Sequence, residues 1–119
     1  NLKCLGFINN IDEIYQISHI LLLPSLHEGF PYSILEAIKN KTLVFANDIP
    51  GVRNIITDNY NGVLIKNNDA NNFIATINDY LINKVKYKKY LANAVSSIKK
   101  YDRKEFLKGY GIYISNLKK

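Results

Sequence analysis

A chain of 119 residues, 47% of them apolar, suffices for one domain or part of one, built on a single core. Its longest apolar block, Ile20 to Leu23, falls far short of the roughly 18 residues that cross a bilayer, and no secretory signal is expected from the opening Asn1-Leu2-Lys3-Cys4. The net charge of +6 is uneven: residues 84–119 hold eleven Lys or Arg against Asp102 and Glu105, while residues 1–83 hold five basic against eight acidic groups. A soluble, cytoplasmic chain is expected, and its basic C-terminal third suits a solvated helix face, phosphates, an anionic membrane or a partner domain.

Leu2 to Phe7 reads as the first strand, with Cys4 as a small buried hydrophobe inside it. A lone Cys excludes an internal disulfide framework and a four-Cys metal site. Asn10-Ile11-Asp12-Glu13 has the form of a capping box and predicts a short helix through Ser18. Ile20 to Pro24 follows as a second strand, apolar throughout, as when both sheet faces are covered. A helix is predicted from Pro31 to about Asn40, a third strand over Thr42 to Ala46, a short helix over Pro50 to Thr57 and a fourth strand over Gly62 to Ile65. Strands alternating with helices on such short connections imply a parallel sheet. The remainder is helical in pattern. Asp69 suits an N-cap before Phe73, Ile74, Ile77 and Leu81; Tyr87, Tyr90, Leu91, Ala94 and Ile98 form a second apolar face, and Phe106, Leu107, Tyr110, Tyr113, Ile114 and Leu117 a third. These tyrosines sit at helical spacing, unlike the aromatics of a nucleic-acid stacking sheet, and no nucleic-acid partner is expected.

The chemistry concentrates between Leu23 and Ala37. In a parallel sheet, ligands bind beyond the carboxyl ends of the strands, and this segment leaves a strand and opens a helix at that edge. Gly29 lets a ligand approach the main chain. Pro31 suits the first helical position, and the N–H groups of Tyr32 and Ser33 behind it favour an anion such as a diphosphate. Glu36 stands roughly 7 Å up the helix axis, with its side chain tilted back toward the mouth. There a carboxylate can accept from a vicinal diol. Glu28, ahead of the helix, is placed for sugar hydroxyls. Spacing alone leaves a helix-end charge and a solvated Glu equally open.

Glu28-Gly29-Phe30-Pro31 followed by Glu36-Ala37 resembles the Glu-x7-Glu motif of retaining GT-B glycosyltransferases, specifically glycosyltransferase family 4 (group 1). Leu5-Gly6-Phe7, Leu22-Leu23-Pro24-Ser25, Leu43-Val44, Pro50-Gly51-Val52 and Asn61-Gly62-Val63-Leu64 are similar to the family's landmarks in the same order. The resemblance covers about residues 2–80. It implies an α/β fold: a partial Rossmann-like parallel sheet of about four strands with flanking helices, ending in two or three C-terminal helices. Residues 1–83 would be a truncated nucleotide-sugar-binding region, and 84–119 basic helices packing on the same domain. Glu28 would contact the donor sugar as the catalytic-site carboxylate, and Glu36 the ribose. Main-chain N–H groups around Gly29 to Ser33, those of Gly29, Phe30, Tyr32 and Ser33 on either side of Pro31, would hold the diphosphate, with Gly6 to Ile8, Phe7 included, beside the base. No cofactor or metal is implied, only a nucleotide-diphosphate sugar as donor substrate.

The sequence departs from the family pattern where Lys41 replaces a Gly, Leu43 a Pro, and Asn54 a frequent Glu. The strand end carrying the family's diphosphate-binding Arg and Lys, and the N-terminal acceptor domain, have no counterpart here. The absence of Met, initiator included, likewise fits a segment of a longer polypeptide. Such a segment is expected to be inactive alone and to expose a sheet edge open to a second copy. The competing reading is a non-catalytic module that binds a nucleotide or a partner. A glycosidase pair is disfavoured, since Glu36 near a positive helix end stays ionised. His27-Glu28 lacks the second His of a metalloprotease, because Pro31 stands four residues on. Ser25 and Ser33 have no base arrangement beside them that would make either a nucleophile.

Overall fold

The structure is a computed structural model and describes residues 1–101. The apolar face expected around Phe106 to Leu117 lies outside the described residues. The elements run α1 (Ile11–Ile17), β1 (Ile20–Leu23), α2 (Tyr32–Lys39), β2 (Leu43–Asn47), α3 (Pro50–Arg53), β3 (Val63–Ile65), α4 (Ala70–Ile82) and α5 (Lys84–Ser97). The sheet is parallel with order β1-β2-β3, pairing Ile20 with Leu43 and Phe45 with Val63.

β2 explains the layering. All five of its residues are buried, because successive side chains enter opposite faces and both faces are covered. Val44 and Ala46 join Tyr15, Ile34, Ala37, Ile38, Val52 and Ile56, placing α1, α2 and α3 over one face. Leu43 and Phe45 join Val63, Ile65, Phe73 and Tyr87, placing α4 and α5 over the other. Burial of a side chain as large as Phe45 or Ile34 stabilises the fold by about 2–3 kcal/mol. Ala94 of α5 reaches the first cluster, so both C-terminal helices that are described share the core with the sheet.

The expected first strand does not form. Leu2 is 96% and Phe7 92% exposed, and among the described residues the sheet has three strands rather than about four. Leu2 to Phe7 has strand composition but no neighbouring strand among the described residues, and without a ladder its backbone groups stay with water. Cys4 is correspondingly exposed rather than buried. β1 therefore pairs on one side only, and Leu22 remains exposed. The Asn10 capping box also differs: the Asn10 amide donates to the Glu13 carboxylate at 2.8 Å, with no side-chain bond to the helix backbone. Asp69 does cap α4, accepting from the Asn71 N–H at 2.9 Å. The helix after Pro50 stops at Arg53, short of Thr57, and turns through buried Ile55 and Ile56.

The junction from α2 into β2 shows how the sheet is aligned. The Lys41 N–H donates to the Ile38 carbonyl at 2.9 Å and the Thr42 N–H to the Ala37 carbonyl at 2.9 Å, the paired bonds of a Schellman termination. This geometry puts Lys41 at φ 62°, a left-handed position that favours glycine. Buried Thr42 then donates its hydroxyl to the Tyr15 carbonyl at 2.7 Å, closing the end of α1. At the far corner, Asp79 accepts from Lys86 Nζ at 2.6 Å, Tyr87 Oη at 2.5 Å and Asn83 Nδ2 at 2.6 Å, joining α4 to α5.

Lys41→Gly is expected to stabilise the chain by about 1 kcal/mol in urea denaturation, since relief of the left-handed strain exceeds the added unfolded-state entropy. The Lys86, Tyr87 and Asn83 donors hold the Asp79 carboxyl down to about 2 from its ordinary 3.8. A lowered carboxylate stabilises the fold above its unfolded value and loses that contribution as pH falls through the folded one. The stability gap between the parent and Asp79→Asn, measured by thermal denaturation, should be full at pH 6, shrink below pH 4 and close only below pH 2.

Candidate functional site at the carboxyl edge of the sheet

Because the strands are parallel, β1, β2 and β3 end on one edge, at Leu23, Asn47 and Ile65. The loops that follow are held together by a buried side chain. Asn47 Nδ2 donates to the Ser25 carbonyl at 3.0 Å and to Asn68 Oδ1 at 2.6 Å, tying the β1 and β3 exits to the end of β2. Its Oδ1 is buried with no partner among the described residues. Asp48 continues the arrangement: its N–H donates to the Ile65 carbonyl at 2.8 Å and its carboxylate pairs with Arg53 Nε at 2.5 Å. The hydrogen bond from Arg53, together with the charges of Arg53 and Lys66, holds the Asp48 carboxyl below the usual range. Arg53 is thereby engaged with Asp48.

Between the β1 and β2 exits lies a cleft of about 400 Å³, lined by Leu26, His27, Glu28, Gly29, Ile49 and Pro50. Glu28 is half-buried on its wall, and Gly29 is exposed with nothing within 4 Å of where a Cβ would stand. Pro31 is buried directly before α2. At the helix mouth the Tyr32 N–H already donates to the Phe30 carbonyl at 3.0 Å, and the Ile34 N–H to the Pro31 carbonyl at 3.0 Å. Among the described residues no backbone carbonyl takes the Ser33 N–H, so the open donor at this mouth is Ser33 rather than the expected pair. The Phe30 ring packs on the core and stands 5.2 Å from Tyr32 and 5.7 Å from Tyr101, edge to face.

Glu36 borders a different space. Together with Leu35, Lys39, Val95, Ile98, Lys99 and Tyr101 it lines a mostly apolar cavity of about 430 Å³ between α2 and the end of α5. Its charge also reaches α1. Burial first, then Glu36 and Asp12, push the Tyr15 phenol above its ordinary range. The two glutamates thus flank the first turn of α2, one in each cavity, rather than sharing one pocket. Gly6, at φ 66°, and Phe7 lie on the exposed N-terminal stretch and line neither cavity. His27 lines the Glu28 cleft.

Three contributors were not legible as site residues. Ile49 and Pro50 form the second wall of the cleft, and Asn47 ties the exits; in the sequence, Asn47-Asp48 and Pro50-Gly51 carry only the letters of turns. Their positions depend on β2 lying beside β1, a tertiary fact.

With this geometry in place, comparison with known proteins identifies the family. The sequence model described as "Glycosyl transferases group 1" matches residues 1–97. The chain is 37% identical over 73 residues to the UDP-Gal:alpha-D-GlcNAc-diphosphoundecaprenol alpha-1,3-galactosyltransferase of Escherichia coli, covering 61% of this chain and 19% of that protein. It is 32% identical over 118 residues to the N,N'-diacetylbacillosaminyl-diphospho-undecaprenol alpha-1,3-N-acetylgalactosaminyltransferase of Campylobacter jejuni, covering 95% of this chain and 31% of the relative. Anabaena HepE, solved in complex with UDP and glucose, superposes with a TM-score of 0.86 at 21% identity over 96% of this chain and 32% of its own, showing the same α/β, GT-B-type fold. The chain spans between about a fifth and a third of the length of these proteins. It belongs to the glycosyl transferases of group 1.

Proposed function

We propose that this chain is the donor-binding part of a retaining glycosyltransferase of family 4, which moves a hexose-type sugar from a nucleotide diphosphate to a glycan or lipid-linked acceptor. The observation that carries the reading is the cleft at the carboxyl edge, where the Glu28-Gly29 loop meets the mouth of α2, in a group 1 chain. An open edge of parallel strands with a helix mouth beside it suits a diphosphate. In this reading Glu28 faces the donor sugar and Glu36 the ribose hydroxyls. The nucleotide then crosses the first turn of α2 from one cavity to the other, with the Gly29 and Ser33 N–H groups toward the diphosphate. Gly6 and Phe7 come to the base only if the N-terminal stretch folds back over the edge. Charge stabilisation falls to main-chain donors, without metal or cofactor.

Catalysis requires more positive charge than this cleft supplies. None of its lining residues is Lys or Arg, and Arg53 is engaged with Asp48. The proposal is therefore that the chain alone is inactive and works with a further donor-site strand and an acceptor domain in the whole transferase. The same shortage of cations favours the second reading, a module that binds a nucleotide or partner without turnover. The two curated relatives are named for diphosphoundecaprenol-linked compounds, which supports a lipid-linked acceptor. Peripheral contact with an anionic membrane through Lys84, Lys88 and Lys89 on the exposed side of α5 is compatible with it.

Calorimetric titration with UDP and UDP-glucose separates the two roles. Glu36→Ala is expected to weaken both ligands about tenfold, the worth of a hydrogen bond to a charged acceptor, while Glu28→Ala weakens UDP-glucose and leaves UDP unchanged. Equal affinities in the parent and both variants would refute the donor assignment. The open β1 edge leads to a further expectation: the chain self-associates with rising concentration in sedimentation velocity. A monomer at every concentration would show that the edge is otherwise protected.

A further inference from the structure

We infer that Gly51 is a positioning residue for the Glu28-Gly29 loop, its missing side chain being the space in which the Glu28 carbonyl sits. A Cβ on Gly51 would overlap the Glu28 carbonyl oxygen, and would stand 2.8 Å from the carbonyl carbon and 3.0 Å from the Gly29 oxygen. These are backbone atoms, so no side-chain rotation relieves the overlap. Main chain rests on main chain here, between the loop bearing Glu28 and the first turn of α3.

Two observations decide which side would yield. α3 is anchored: Val52, the next residue, is fully buried, and Ile55 and Ile56 beyond it belong to the same core cluster. The loop is looser, with Glu28 half-buried and His27 and Gly29 exposed. A methyl group at position 51 therefore displaces the Glu28-Gly29 segment and leaves α3 in place. Backbone conformation adds no penalty of its own. Gly51 lies inside a helical turn, where alanine is the better former, so the effect of Gly51→Ala is purely the contact.

The contrast with Gly29 sharpens the assignment. Gly29 has open space where its Cβ would be, so the protein itself does not require a glycine there, and only an approaching ligand could. Gly51 has no such space, and its requirement is internal. The Pro50-Gly51 turn thus sets the height of the Glu28 wall, and Ile49 and Pro50 face that wall across the cleft. The consequence for donor binding rests on the reading of Glu28 given under Proposed function; the displacement of the loop does not.

The experiment uses amide NMR on the 119-residue chain, with Gly62→Ala as the control. Gly62 is also crowded, though less severely, its Cβ meeting the Val44 carbonyl oxygen at 2.9 Å and Ile56 Cγ2 at 3.1 Å, and it lies away from the cleft. Gly51→Ala is expected to shift the Glu28 and Gly29 amides and to lower UDP-glucose affinity of the folded fraction at least tenfold. Gly62→Ala should lower the melting temperature and do neither. Wild-type positions for the Glu28 and Gly29 amides in Gly51→Ala would overturn the inference, as would unchanged affinity where the parent binds. A parent that binds no UDP-glucose sinks the donor reading alone, and the amide shifts still decide the role of Gly51. Should Gly51→Ala fail to fold, NOEs in the parent between the Gly51 α-hydrogens and the Glu28-Gly29 segment decide; their absence overturns the contact.

Discussion

The side chain of Asn47 is buried at the carboxyl end of the central strand, where its amide donates to the Ser25 carbonyl and to Asn68. Those bonds hold the exits of β1 and β3 against the end of β2, so the loops that make the cleft are fixed relative to one another. Everything said about Glu28 depends on this. The loop carrying it is tied at Ser25 by Asn47, seated on Gly51, and delivered to a helix that starts behind a buried Pro31. The opposite end of β2 is secured in a matching way by Thr42, whose hydroxyl closes α1. A strand buried on both faces and pinned at both ends gives the site a rigid floor, as a preorganised binding surface needs.

Electrostatics divide the molecule along the same axis. The carboxyl edge carries Glu28, an Asp48–Arg53 pair that is already neutral and, at the β3 exit, Lys66, whose charge acts on Asp48. The surplus positive charge of the described residues lies on α5 and the turn after it, at Lys84, Lys88, Lys89, Lys99 and Lys100. No lysine or arginine lines the cleft, Arg53 is engaged with Asp48, and main-chain N–H dipoles are weaker than a lysine or arginine clamp. That weakness is the physical reason for treating the chain as a contributor to a donor site rather than as the whole of one.

Much of this was legible in the sequence because it is local. The run from Thr42 to Ala46 reads as a strand, and β2 lies within one residue of it, whereas the covering of both faces read for Ile20 to Pro24 belongs to β2 and not to β1. Pro31 marks the start of α2, and Asp69 caps α4 as its position suggests. What could not be read depends on neighbours. Leu2 to Phe7 has the composition of a strand, but a strand exists only beside another, and the sequence does not state whether one is there. The spacing from Glu28 to Glu36 gives a rise along the helix axis but not which way each side chain turns, and the two border separate cavities. Lys41 departs from the family's Gly, yet only the structure shows it in the left-handed conformation that Gly would hold without strain. Gly51 carries the letter of a turn, and its role depends on a loop more than twenty positions earlier in the chain.

The central claim, that the carboxyl edge between the β1 and β2 exits receives the nucleotide sugar, is tested most directly by mapping amide shifts during a titration with UDP-glucose. The account predicts shifts concentrated at His27 to Ser33, at Glu36 and at Ile49 to Gly51. Shifts confined to Val95, Ile98 and Lys99, in the cavity between α2 and α5, would contradict it.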